Sequence, residues 1–227
     1  MNYAEIAGTV VAAGFAVRGA FHPAADDGVP EVAADTPTAT LVLAGNAGPE
    51  MWRRFSDQRD PHTDRLDDWS RERLDALAAG LGARALFPFA KPPLPFQRWA
   101  RRAEDCHPSP LGILIHPDYG LWHGYRGALA FGERIALPEP GRRPSPCDTC
   151  PDRPCLTSCP VAAFDGRGYD VAACVRHIAS PAGSACLDRG CQARHACPVG
   201  RAHAYEPAQA GFHMRAFLRA RQASGIA

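Results

Sequence analysis

No apolar run in this 227-residue sequence approaches the roughly 18–20 residues needed to cross a bilayer, which excludes a membrane-spanning helix. Lysine is nearly missing: Lys91 stands alone among arginines, a compositional bias without functional content. Net charge is nearly missing too, +1 from 25 Lys+Arg against 24 Asp+Glu, and this argues against nucleic acid as a partner drawn in by bulk charge. The N-terminal stretch MNYAEIAGTVVAAGFAVRG has neither a basic leading region nor a clean apolar segment, and Glu5 precedes any basic residue. No export signal is therefore expected, and the expected setting is the reducing cytoplasm. Cysteine is missing from most of the chain, since residues 1–146 hold only Cys106. A disulfide scaffold spreads its cysteines through a small secreted domain, so that class is excluded.

With 46% hydrophobic and 22% charged residues, the chain can bury a core and is not disordered. Residues 1–140 read as alternating helices and strands. A short helix over Ala4–Ala13 is followed by the strand FAVRGAF and then by the β-branched run TATLVLAG. Trp69, Leu74, Leu77, Ala78 and Leu81 recur at helical spacing within Asp67–Leu81, ahead of Gly82. ARALFPF is a further strand, and PLGILIHPDYG and YRGALAFGERIAL read as two strands joined by a turn around Pro117 and Gly120. Pro138–Pro146, with four prolines and a glycine, is a linker by composition. A closing helix is expected over Pro207–Ala223, with Phe212, Ala216, Phe217 and Ala220 on its apolar side. The expected fold class is α+β: an N-terminal α/β domain at 1–140, a small ferredoxin-like module at 141–205 and a C-terminal helix at 206–227.

Eight of the nine cysteines lie between Cys147 and Cys197. Cys147-x2-Cys150-x4-Cys155-x3-Cys159-Pro160 follows the bacterial ferredoxin run C-x2-C-x2-C-x3-C-P with two extra residues in its second gap. In that run three cysteines serve three corners of one cubane, and the fourth serves a second cubane. Cys174, Cys186, Cys191 and Cys197-Pro198 supply the complement at looser spacing. The crossing pattern groups Cys147, Cys150, Cys155 and Cys197 around one [4Fe–4S] cluster, and Cys159, Cys174, Cys186 and Cys191 around the other. Paired cysteines with distant partners are also zinc signatures, so a zinc-stabilised module without redox chemistry is the competing reading. His177, His195 and His203 lie among these cysteines, and with eight thiols available they are read as surface or supporting groups. Cys106 is read as a small buried apolar side chain.

This order of features resembles the dicluster ferredoxin module of the epoxyqueuosine reductase and reductive dehalogenase family. YDVAACVRHI, around Cys174, is similar to the segment carrying that family's isolated fifth ligand, and Ser109–Phe131 is similar to the strand–turn–strand before its module. The resemblance implies an N-terminal domain related to flavin nitroreductases that binds a corrinoid, with clusters that feed it electrons. A cobalamin or flavin site in residues 1–140 is one expectation that follows. Tyr119, Trp122, His123 and Arg126 are its candidate residues, an aromatic and basic group around one turn, although packing of the domain against the cluster module is the favoured reading of them. Arg98, Arg101 and Arg102 after Trp99 invite a nucleic-acid reading, but Glu104 and Asp105 follow and a solvated face is expected. Two functions stand ahead of the zinc module. One is an electron carrier using two [4Fe–4S] clusters, with a redox partner protein or small-molecule acceptor. The other is a self-contained corrinoid- or flavin-dependent reductase.

Overall fold

The apolar run Leu41–Ala44 is fully buried, so its strand is covered on both faces and forms the centre of a sheet. The computed structural model describes residues 1–58, 65–139, 141 and 143–226. Its strands are β1 (Ala16–Phe21), β2 (Thr40–Ala47), β3 (Arg84–Leu86), β4 (His107–Pro108), β5 (Leu114–Ile115) and β6 (His123–Phe131). Its helices are α1 (Tyr3–Ala12), α2 (Glu50–Gln58), α3 (Leu66–Leu81), α4 (Phe96–Ala103), α5 (Pro154–Thr157), α6 (Val171–Ile178), α7 (Ser184–Arg189), α8 (Gln192–Ala196) and α9 (Pro207–Ala223).

Two units divide the chain: Met1–Asp105 with His123–Arg143, and Cys106–Trp122 with Pro144–Ala227. These bounds differ from the ranges 1–140, 141–205 and 206–227 expected from sequence. Pro140 and Arg142 of the expected linker lie outside the described residues.

The first unit is built on a sheet of order β1-β2-β6-β3 in which every neighbouring pair is antiparallel. The fold is α+β: helices and strands alternate along the chain, but no parallel pair forms in this sheet. Helix α3 packs on β3 and β6, α1 on β1, and α4 on β1 and β2. Helix α2 was not expected from sequence, although Met51, Trp52 and Phe55 carry its buried side and Arg53 and Arg54 its outer one. Two irregularities re-aim charged side chains. Arg18 and Gly19 fall where the β1–β2 register shifts, and Arg126 is the extra residue where Gly45 pairs with Tyr125 and Ala44 with Gly127. Arg18, only 1% exposed, donates to Glu104 Oε1 from Nε at 3.1 Å and from Nη2 at 2.7 Å. The Tyr125 hydroxyl donates to the same oxygen at 2.5 Å.

Arg98, Arg101 and Arg102 are exposed, as expected of a solvated face, and two of them also reach back to Asp27. Arg98 Nη2 and Trp99 Nε1 donate to the Asp27 carbonyl at 2.8 and 2.9 Å, and Arg102 pairs with the buried Asp27 carboxylate. Glu104 and Asp105 lie beyond the end of α4.

In the second unit the expected strand–turn–strand over Ser109–Phe131 is split. β5 pairs with β4, whereas β6 belongs to the four-stranded sheet. The turn between them closes on itself through reciprocal His116–Gly120 backbone bonds of 2.9 and 2.8 Å. It is held against the Cys197–Gly200 turn: a Cβ on Gly120 would stand 2.0 Å from the Val199 carbonyl oxygen, and one on Gly200 2.2 Å from the Tyr119 carbonyl carbon. Both residues also have positive φ, +56° and +70°, so side chains are barred there on two counts. Leu111, Ile115 and Leu121 accordingly share a core with Cys155, Ala163, Phe164, Ala193 and Cys197. The closing helix α9 packs along α7, where Arg215 pairs with Asp188 at 3.1 Å. Its buried residues are Gln209, Ala210 and Gly211. Phe212, Ala216 and Phe217 are half-buried, and Ala220, expected on the apolar side, is exposed.

Replacing Glu104 by Leu removes the carboxylate that faces the buried Arg18 guanidinium. The variant is expected to lose about 3–5 kcal/mol in chemical denaturation, and the double variant Arg18→Met/Glu104→Leu to recover a large part of that loss. Equal stability of wild type and Glu104→Leu would contradict the role given to this pair.

Candidate functional site

All eight clustered cysteines lie in the second unit, on short helices and turns. Cys155 sits in the single turn of α5, which opens with Arg153 at φ 39° and Pro154 at its first position. Pro suits that position because its missing N–H would have no helical partner. Cys159-Pro160 does not start a helix. It forms one turn closed by Ala162 N–H donating to the Cys159 carbonyl at 3.1 Å. Cys174 lies in α6, whose first turn is capped by the Asp170 carboxylate accepting from Ala173 N–H at 2.8 Å. Cys186 lies in α7, Cys191 is the N-cap of α8, and Cys197 follows its last residue.

Electrostatic neighbourhoods divide the thiols into two sets. Burial raises the pKa of Cys147 above the usual thiol range, and Cys197, Cys155 and Cys150 raise it further against a lowering hydrogen bond from Ser145. Burial likewise raises Cys155, followed by Cys197 and Cys150, and Cys197 is raised by burial and then by Cys150. In the other set, burial raises Cys174, with Cys159 and Cys186 adding to the effect. Burial also pushes Cys191 up to about 11, with smaller contributions from Cys186 and Cys174. The structure thus brings Cys147, Cys150, Cys155 and Cys197 together, and separately Cys159, Cys174, Cys186 and Cys191. The second set lines a small cavity with apolar walls that include Phe164, Ile178 and Ala193.

Donors point at these sulfurs. Ala163 N–H donates to Cys159 Sγ at 3.3 Å. Amide hydrogen bonds partly offset these rises: from Arg194 and Ala193 at Cys191, from Cys155 and Leu156 at Cys155, and from Val199 at Cys197. The Tyr169 hydroxyl bonds the Cys174 thiol, and its own pKa is raised by burial first and then by that bond. Tyr169 stacks on Phe164 at 4.5 Å and 14°. Sequence reasoning missed Tyr169, and the signal available was an aromatic hydroxyl one residue before the Asp170 cap.

The donor set can be tested against the two metals that thiols favour. A tetrahedral zinc with Zn–S near 2.3 Å holds its sulfurs roughly 3.8 Å apart. Among the described residues no three of the eight thiols gather within 4.8 Å of one another. Four all-sulfur ligands set wider than a zinc tetrahedron fit a cubane, whose irons sit at separate corners and each take one thiolate.

The planar-cofactor candidates each have partners within their own unit. Tyr119 stacks on His116 at 4.5 Å and meets the His203 ring edge-on at 5.0 Å. Trp122, 2% exposed, lies against Tyr205 and under the Arg194 guanidinium, 4.6 Å from its ring centre, while Arg194 Nε donates to the Leu121 carbonyl at 3.1 Å. His123 Nδ1 lies 3.0 Å from Arg18 Nη2. Arg126 is ion-paired with Asp67 and donates to Ser70 Oγ at 3.1 Å. Trp122 and Tyr119 belong to the second unit, His123 and Arg126 to the first. Cys106 is buried.

No known sequence family matches the chain, and no curated protein matches it. Solved structures do. Epoxyqueuosine reductase from Streptococcus thermophilus superposes with a TM-score of 0.53 at 16% identity, over 88% of this chain and 67% of that one. The enzyme from Bacillus subtilis gives 0.51 at 16% identity, over 90% of this chain and 66% of that one. Epoxyqueuosine reductase in complex with an epoxyqueuosine-modified tRNA-Tyr stem loop gives 0.50 at 15% identity, again over 90% and 66%. The chain therefore spans about two thirds of the length of these proteins. Among the described residues no helix is long and apolar enough to cross a membrane. At this level of identity the likeness is one of fold: over most of its length, the chain resembles the epoxyqueuosine reductases.

Proposed function

We propose that the chain is an iron–sulfur electron-transfer protein of the cytoplasm. One [4Fe–4S] cluster would be held by Cys147, Cys150, Cys155 and Cys197, the other by Cys159, Cys174, Cys186 and Cys191. The observation that carries this reading is the division of eight thiols into two sets of mutual neighbours, each completed by a cysteine from the opposite end of the region. The width of the sets argues against the zinc reading. When bound, such clusters supply one-electron transfer at a potential set by charge, burial and hydrogen bonds to sulfur. The chain's own contribution is desolvation and donors. Buried thiols resist ionisation, so in the metal-free chain they hold protons that iron must displace. The amides of Ala163, Ala193, Arg194 and Val199, with the Tyr169 hydroxyl, then stabilise the negative sulfurs.

The likeness to reductases favours a second reading, in which the clusters deliver electrons to a cobalamin or flavin bound by the first unit rather than to a redox partner protein or small-molecule acceptor. The tRNA stem loop in one neighbour weakens the case against nucleic acid made from net charge.

Anaerobically purified protein is expected to be brown, to bleach with dithionite and to carry about eight irons per chain. Colourless protein retaining stoichiometric zinc would refute the proposal. Cys155→Ala and Cys197→Ala should each remove or alter the same EPR signal and leave about four irons; effects on different signals would refute the grouping. Cobalamin and flavin titrated into iron-loaded protein separate the two redox readings. A saturable spectral change with either supports the reductase, and its absence leaves the carrier.

A further inference from the structure

We infer that His177 is a hydrogen-bond donor to the cluster held by Cys159, Cys174, Cys186 and Cys191, and that it sets that cluster's reduction potential. The inference rests on the cluster reading above.

His177 follows Cys174 by three residues on α6, a spacing that places both side chains on one side of the helix. Its ring lines the cavity that those four cysteines surround. Two polar side chains other than thiols line that cavity, His177 and Gln192, and Gln192 is exposed. His177 Nε2 is instead buried and has no hydrogen-bond partner among the described residues. Buried polar atoms are nearly always satisfied, so one left unpaired beside four thiols points to a partner the polypeptide does not supply.

The sulfurs of a cubane only accept hydrogen bonds, and the ring would therefore face them with a proton on Nε2. With four cysteines already gathered, the ring is not needed as a ligand. The other two histidines of the region are committed elsewhere. His195 Nε2 lies 3.0 Å from the Arg189 carbonyl, and His203 is edge-on to Tyr119. The Tyr169 hydroxyl is already used on Cys174. A donor aimed at cluster sulfur stabilises the reduced form, which carries the extra negative charge, and so raises the potential.

Redox titrations of the iron-loaded full chain, followed by EPR, test this in wild type, His177→Phe and His177→Gln. His177→Phe should lower the potential of one cluster by on the order of tenfold in its redox equilibrium, which is about 59 mV for a one-electron couple. The other cluster should stay unchanged. His177→Gln, which keeps a donor, should restore most of the difference. If Phe prevents assembly, His177→Leu takes its place.

Unchanged potentials in a variant with about eight irons would overturn the inference. So would equal shifts in the Phe and Gln variants, which would reflect packing. Loss of the second cluster in all three variants would make the ring a ligand or a packing group and overturn it as well. Wild-type protein without iron would instead overturn the cluster reading itself, a separate failure.

Discussion

Burying several thiols beside one another is unfavourable for the bare polypeptide, and much of the second unit depends on that constraint. Each thiol with a resolved shift is raised first by desolvation, with its neighbours adding to the rise, so burial disfavours the charged form. Backbone amides and the Tyr169 hydroxyl aimed at sulfur act in the opposite direction. Burial that disfavours charge combined with donors that reward it is how a chain prepares thiolates for a metal while keeping them protonated without one. The short helices α5, α7 and α8 have too few residues to be stable alone, so their order depends on packing, α7 against α9 and α5 against α8.

The first unit solves a different problem. Its sheet carries charged residues at two register irregularities, and each is answered by a partner far along the chain: Arg18 by Glu104, and Arg126 by Asp67 and Ser70. Asp27 is answered in the same way by Arg102. A buried pair such as Arg18–Glu104 adds little net stability but is costly to break.

How much of this could be read in the sequence varied with the range of the interaction involved. The Leu41–Ala44 strand and the α3 helix were legible because their signals are local, a short apolar run beginning at β-branched Thr40 and apolar residues at helical spacing. The cysteine spacing carried enough information to propose two sets of ligands. Helix α2 was overlooked because its apolar residues Met51, Trp52 and Phe55 span little more than one turn. The strands on either side of Gly120 were read as partners because alternation marks a strand without naming its neighbour; the glycine contacts of Gly120 and Gly200 decide that. Arg126 looked available to a ligand because its partner Asp67 lies 59 residues away. Tyr169 escaped notice, and His177 was read only as a surface or supporting group, because a hydroxyl and a ring nitrogen acquire meaning only once the thiols around them are placed.

The central claim is that eight cysteines hold two cubanes. Native mass spectrometry of the anaerobically prepared chain weighs it directly. The account predicts a folded species heavier than the polypeptide by two Fe4S4 units, losing one such unit when either set of thiols is disabled. A folded species carrying two zinc ions, or the bare polypeptide mass, would contradict it.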